Sequence, residues 1–117
     1  MTLQHIVLFA FAADLDHEDA AEMRAQIEAW PDKIGGFDAI RFGRDLTGAR
    51  TRGHQYLLYT EFADTEALVA YQEHPVHQHF LKWVLDHGCT PLAFDFELNQ
   101  DTVIWPRLAP NPPEDKS

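Results

Sequence analysis

Along the chain, apolar residues recur with period two in four stretches and with period three to four in the stretches between them. The first, residues 3–12, sets Leu3, His5, Val7, Phe9 and Phe11 on one face and Gln4, Ile6, Leu8 and Ala10 on the other. Both faces are largely apolar, so this strand needs cover on both sides. Asp16 then offers a helix cap, and Ala20, Met23, Ile27 and Trp30 follow at helical spacing. Pro31 is expected to end or kink that helix at Trp30, and Gly35 with Gly36 marks a turn. A second strand is predicted over residues 37–46, with Ile40 and Phe42 on its apolar side, and residues 47–53 read as an exposed loop. A third strand over 54–63 puts Tyr56, Leu58, Thr60 and Phe62 opposite Leu57, Tyr59, Glu61 and Ala63. Asp64 caps a short helix reaching Tyr71, and Pro75 opens another that runs to about His87 and stops at Gly88. The last strand, 92–98, alternates Leu92, Phe94, Phe96 and Leu98 with Ala93, Asp95 and Glu97.

The order β-α-β-β-α-β is the ferredoxin-like pattern of the α+β class. One layer of helices covers one face of such a sheet. The two-sided apolar character of the first and third strands therefore predicts a homodimer that pairs its sheet faces. The organisation read from the sequence is one domain over 1–98 and a proline-rich tail over 99–117, its far end disordered. Val103 and Trp105 in the tail would add a short edge strand or clasp a partner.

A length of 117 residues suits one domain, and 45% hydrophobic residues suits a folded core. The formal net charge of -10 and the scattering of the basic residues argue against nucleic acid, whose phosphates call for clustered Lys and Arg. No apolar run approaches the ~20 residues of a spanning helix, and the opening residues lack the basic region of a secretion signal. With Cys89 the single cysteine, a cytoplasmic, non-membrane protein is expected.

The densest chemistry lies in residues 71–80. His77, Phe80, Leu81 and Val84 share one helical stripe, so His77 should point at the sheet from the first turn of its helix, where the dipole favours the neutral ring. A neutral inward histidine suits a general base near pH 7, and Tyr71 on the preceding helix lies within reach. The competing reading gives His77 and Tyr71 structural roles. His5, a polar ring on an apolar strand face, shifts the balance towards a polar pocket. Its expected lining is Tyr56, Phe9, Leu58, Phe80, Leu81 and Trp30. His74, His77 and His79 lack metal-ligand spacing, so no metal or other cofactor is expected.

The segments HIVLFAF (5–11), IGGF (34–37), FGRDL (42–46), YTEFADTEALVAY (59–71), HPVHQHF (74–80) and FDFE (94–97) resemble the Dabb family of stress-responsive dimeric α/β-barrel domains, over about residues 2–98. The resemblance implies a ferredoxin-like protomer whose sheet pairs with a second copy's to form a barrel. Most members have no assigned reaction. One plant branch contains polyketide cyclases that close a ring by aldol condensation, and its pocket positions match His5, Tyr71 and His77. That branch has a third-strand histidine where this chain has Tyr56. The expectation is a small apolar pocket that binds a small organic molecule or performs cofactor-independent acid–base chemistry on it, cyclase- or lyase-like. There His77 serves as base, Tyr71 as oxyanion partner and His5 as support. The alternative is a non-catalytic stress or accessory protein.

Overall fold

The computed structural model describes residues 2–108. Strands β1 (Thr2–Phe11), β2 (Ala39–Arg44), β3 (Tyr56–Phe62) and β4 (Cys89–Leu98) form one antiparallel sheet in the order β2-β3-β1-β4. Helices α1 (His17–Glu28), α2 (Trp30–Lys33), α3 (Thr65–Glu73) and α4 (Pro75–Asp86) supply the two crossovers. This is the predicted ferredoxin-like α+β arrangement. The strands with two apolar faces, β1 and β3, hold its centre.

Local chemistry sets the helix ends. Asp16 accepts the Asp19 N–H at 2.8 Å and Asp64 accepts the Ala67 N–H at 2.9 Å, each satisfying a first-turn donor. Pro75 opens α4, where its missing N–H costs nothing. Gly88 follows α4 at φ +77°, a left-handed turn that suits glycine and aims the chain into β4.

Two boundaries depart from the sequence reading. Pro31 does not end the first helix: α1 stops at Glu28, and Pro31 sits in the first turn of the separate α2. Proline fits there because a first-turn N–H has no partner within the helix. Strand β4 starts three residues early, with Cys89, Thr90 and Pro91 opposite Phe11, Ala10 and Phe9. An edge strand tolerates Pro91, since one side of its ladder needs no donor.

One face of the sheet is closed by helices. Val7, Phe9, Phe11, Leu58 and Phe62 pack with Met23, Ile27, Trp30, Leu68, Tyr71, Phe80 and Val84 in a single buried core. The other face carries Ile6, Leu8, Leu57, Tyr59, Leu92, Phe94 and Phe96, with Leu8 between Leu57 and Leu92 and Ile6 between Tyr59 and Phe94. Among the described residues no helix covers it.

After β4 the chain turns at Asn99–Thr102, where the Thr102 and Val103 N–H groups donate to the Asn99 carbonyl. Among the described residues 99–108 no strand forms, so Val103 and Trp105 do not add an edge strand. Pro106 denies the segment a ladder donor. The far end of the tail, read from the sequence as disordered, lies outside the described residues.

Candidate active site

Three polar side chains from three elements meet at one cavity between the sheet and the helices. His5 comes from β1, Tyr71 from α3 and His77 from α4. The break at His74-Pro75 folds α4 back beside α3, so residues six apart in sequence become neighbours. The Tyr71 and His77 ring centroids lie 4.2 Å apart, and those of His5 and Tyr71 5.9 Å apart. The cavity measures about 190 Å³. Apolar side chains form most of the remaining wall, Val7, Phe9, Leu58, Phe80, Leu81 and Val84 among them. It opens beside the edge strand β4, where exposed Ala93 lines it.

The protonation pattern follows from the partners. His77 Nδ1 lies 3.3 Å from the Gln72 carbonyl, which only accepts, so Nδ1 carries the hydrogen. In the neutral ring Nε2 then holds the lone pair. Burial pushes the His77 pKa below its ordinary value of 6.5. The Gln72 carbonyl opposes that shift, and the His5 ring adds to it. The sequence reading reached the neutral ring through the helix dipole; desolvation is the larger cause. His5 donates from Nδ1 to Asp95 Oδ1, across the β1–β4 register that sets these two residues opposite. Tyr71 is 1% exposed, and its hydroxyl makes no hydrogen bond among the described residues. Burial raises its pKa far above the usual phenol range, so it stays a donor. Trp30 Nε1 and Gln26 Nε2, by contrast, are enclosed polar atoms without a partner among the described residues.

Of the expected lining residues, Phe9, Leu58, Phe80 and Leu81 line the cavity. Trp30 does not: it is fully buried behind the site, its ring edge-on to Tyr71 (5.5 Å) and Phe80 (5.0 Å). Tyr56 does not join either. It stacks on Phe42 at 5.5 Å and accepts from Arg44 Nη1 at 2.9 Å, which draws its hydroxyl towards β2. It borders a larger surface groove of about 430 Å³ beside β2. That groove's Arg44 is committed to Asp14 at 2.5 Å.

The sequence reading missed Asp95. Its signal was present, a carboxylate on the minority face of a cleanly alternating strand, but pairing it with His5 needs the sheet register. His74 proves to be a cap, accepting the Val76 N–H at 3.1 Å on Nδ1. Cys89 is buried, with its thiol pKa raised to about 11 by desolvation. Among the described residues no three His, Cys, Asp or Glu side chains gather to hold a metal ion, and no helix is long and apolar enough to cross a membrane.

These features define a ferredoxin-like protein with a His–Tyr–His cavity under a single helical layer. The chain belongs to the stress responsive A/B barrel domain family, Dabb, whose model matches residues 3–98. It is similar to a dimeric protein of unknown function and ferredoxin-like fold from Bacteroides fragilis, at 25% identity and a TM-score of 0.68, covering 83% of this chain and 96% of that one. The hydroxynitrile lyase of Passiflora edulis matches at 16% identity and a TM-score of 0.74, over 85% of this chain and 94% of that one. SnoaB, a cofactor-independent oxygenase from Streptomyces nogalater, matches at 14% identity and a TM-score of 0.65, over 85% and 94%. The latter two likenesses show the fold alone. Comparison with curated proteins finds no match.

Proposed function

We propose that the protein is a homodimeric barrel whose cavity binds a small organic molecule and performs acid–base chemistry on it without a cofactor. One observation carries this reading. A tyrosine hydroxyl with no hydrogen bond among the described residues and a histidine nitrogen with a free lone pair face the same apolar cavity. Neither atom is among the enclosed polar atoms without a partner, so both stay reachable from the cavity and free to meet a ligand. A ligand with a carbonyl oxygen to accept from Tyr71 and an acidic C–H or an O–H facing His77 Nε2 would satisfy both groups.

In this reading His77 Nε2 removes a proton from the ligand, and the Tyr71 hydroxyl donates to the oxygen on which charge develops. Asp95 orients His5, which supports Tyr71 from the sheet. An aldol-type ring closure and a lyase-type cleavage both need this pair of roles. The Passiflora protein's name, a lyase, supports the second type only as an analogy of fold.

Dimerisation through the open sheet face belongs to the same proposal. Leu92 and Phe94 are 55% and 65% exposed there, and the similar Bacteroides fragilis protein is dimeric. Ile104 and Trp105, 86% and 85% exposed, give the tail apolar groups with which to clasp the partner. The free thiol of Cys89 suits a reducing cytoplasmic setting.

The competing reading, a non-catalytic accessory protein, would have the cavity filled by side chains. Crystals grown with metabolite mixtures test the proposal. Ligand density between His77 and Tyr71 is expected, whereas an occupied groove at β2 with nothing beside His77 would move the site.

A further inference from the structure

The wall of the cavity says which ligands it takes. Among its lining residues none is Lys or Arg. The one lysine of α4, Lys82, is 76% exposed and pairs with Asp86 at 2.6 Å. His5 is the cavity's other ring nitrogen source, and it already faces the Asp95 carboxylate, so any positive charge on it is balanced. Of the first-turn donors of α4, Pro75 has no N–H and the Val76 N–H is already taken by His74 Nδ1. An anion entering here would lose its hydration and meet no free cation, a cost several times that of a neutral polar group. The chain's net charge of -10 adds a repulsive field outside.

Size narrows the class further. A dry cavity of about 150 Å³ accepts benzene. At about 190 Å³, this one accepts one ring with a substituent of roughly two or three atoms. Two fused rings exceed that volume and would have to project through the opening beside β4, because Trp30, Phe80 and Val84, at most 2% exposed, leave the inner wall no slack.

We infer that the ligand is an uncharged, single-ring-sized carbonyl or hydroxy compound that enters free, without a carboxylate, phosphate or carrier thioester inside the cavity. This rests on the reading of the cavity as the functional site. It excludes acidic ring compounds of the same size.

Three probes of graded charge and size test it on the full-length protein: acetophenone, benzoate and 2-acetylnaphthalene. Each is titrated at pH 7.5 while the His77 and Tyr71 ring resonances are followed by NMR. Acetophenone should shift both rings saturably, with benzoate and 2-acetylnaphthalene each at least tenfold weaker. Ala93→Trp, which plugs the open side, should abolish the acetophenone response while leaving the spectrum of the core intact. Benzoate or the naphthyl ketone binding at His77 as tightly as acetophenone would overturn the ligand class and leave the site standing. No response from any probe at His77 would overturn both.

Discussion

Under the helices, Phe9, Leu58 and Phe62 are at most 2% exposed; on the other side of the same sheet Leu57, Leu92 and Phe94 stand 41%, 55% and 65% exposed. Both faces are apolar, but they use that character differently. The covered face is closed within one chain apart from two gaps, an apolar one of about 180 Å³ lined by Ile27, Pro31, Ile40 and Phe42 and the one where His5, Tyr71 and His77 hold a cavity open. The open face is incomplete across Leu57, Leu92 and Phe94, a broad stripe of side chains that no helix among the described residues covers. A close-packed core that stops short around polar groups points to a ligand, whereas an uninterrupted apolar stripe points to another protein surface.

The largest effect should come from breaking the open face. Phe94→Asp places a charge on the proposed pairing surface, twice per dimer. Losing two phenylalanine burials, at about 1.5–3 kcal/mol each, should raise the dimer dissociation constant by a hundredfold or more. Sedimentation equilibrium reads this directly. A wild-type protein that is already monomeric at micromolar concentration would end the dimer proposal.

Trp30→Ala attacks the covered face where it is fullest. The indole packs on Phe37, Tyr71, His77 and Phe80, so its removal should cost about 3–5 kcal/mol, measured by urea unfolding. Removing the tail after Leu98 should act on the other face alone. It should weaken the dimer, with less effect than Phe94→Asp, and leave the unfolding of the protomer core unchanged. Equal dimer affinity with and without the tail would remove the clasp.

A smaller effect distinguishes the cavity from the rest of the core. The pKa of His77 in the folded protein lies below its ordinary 6.5, because burial disfavours the imidazolium. As pH falls below 6.5 the unfolded chain takes up a proton here before the folded one does. Stability from this group is therefore present above pH 6.5 and lost as pH falls through the depressed folded value. Wild type should lose stability relative to His77→Leu over that window and not above it. Parallel urea titrations at pH 7.5 and pH 5.5 check the sign; a constant difference would mean that the ring is not desolvated.

Much of this was legible in the sequence because period-two and period-four patterns report burial directly. The two-faced strands at 3–12 and 54–63 called for cover on both faces of the sheet, and the stripe through His77, Phe80, Leu81 and Val84 aimed His77 inward. What escaped the reading depends on distant pairing. Asp95 reaches His5 only through the β1–β4 register, and Tyr56 turns away only because Arg44 and Phe42 on β2 stand beside it. Pro31 misled because it punctuates a helix equally well from just after its end and from the first turn of the next. Trp30 was correctly read as inward, but a periodic stripe does not tell a core side chain from one that lines a cavity.

The central claim is that His77 and Tyr71 serve a ligand rather than the fold. Thermal melting of wild type, His77→Leu and Tyr71→Phe in one buffer at pH 7.5 tests it most directly. The Gln72 carbonyl keeps the Gln78 side-chain amide as a donor when His77 is lost, and the Tyr71 hydroxyl has no hydrogen bond to lose among the described residues. Both variants should therefore melt at or above the wild-type temperature, as expected where a site holds polar groups for function at the expense of packing. A drop of about 4–8 °C or more in both, roughly 1 kcal/mol in a domain of this size, would show that the pair holds the structure together and would contradict the account.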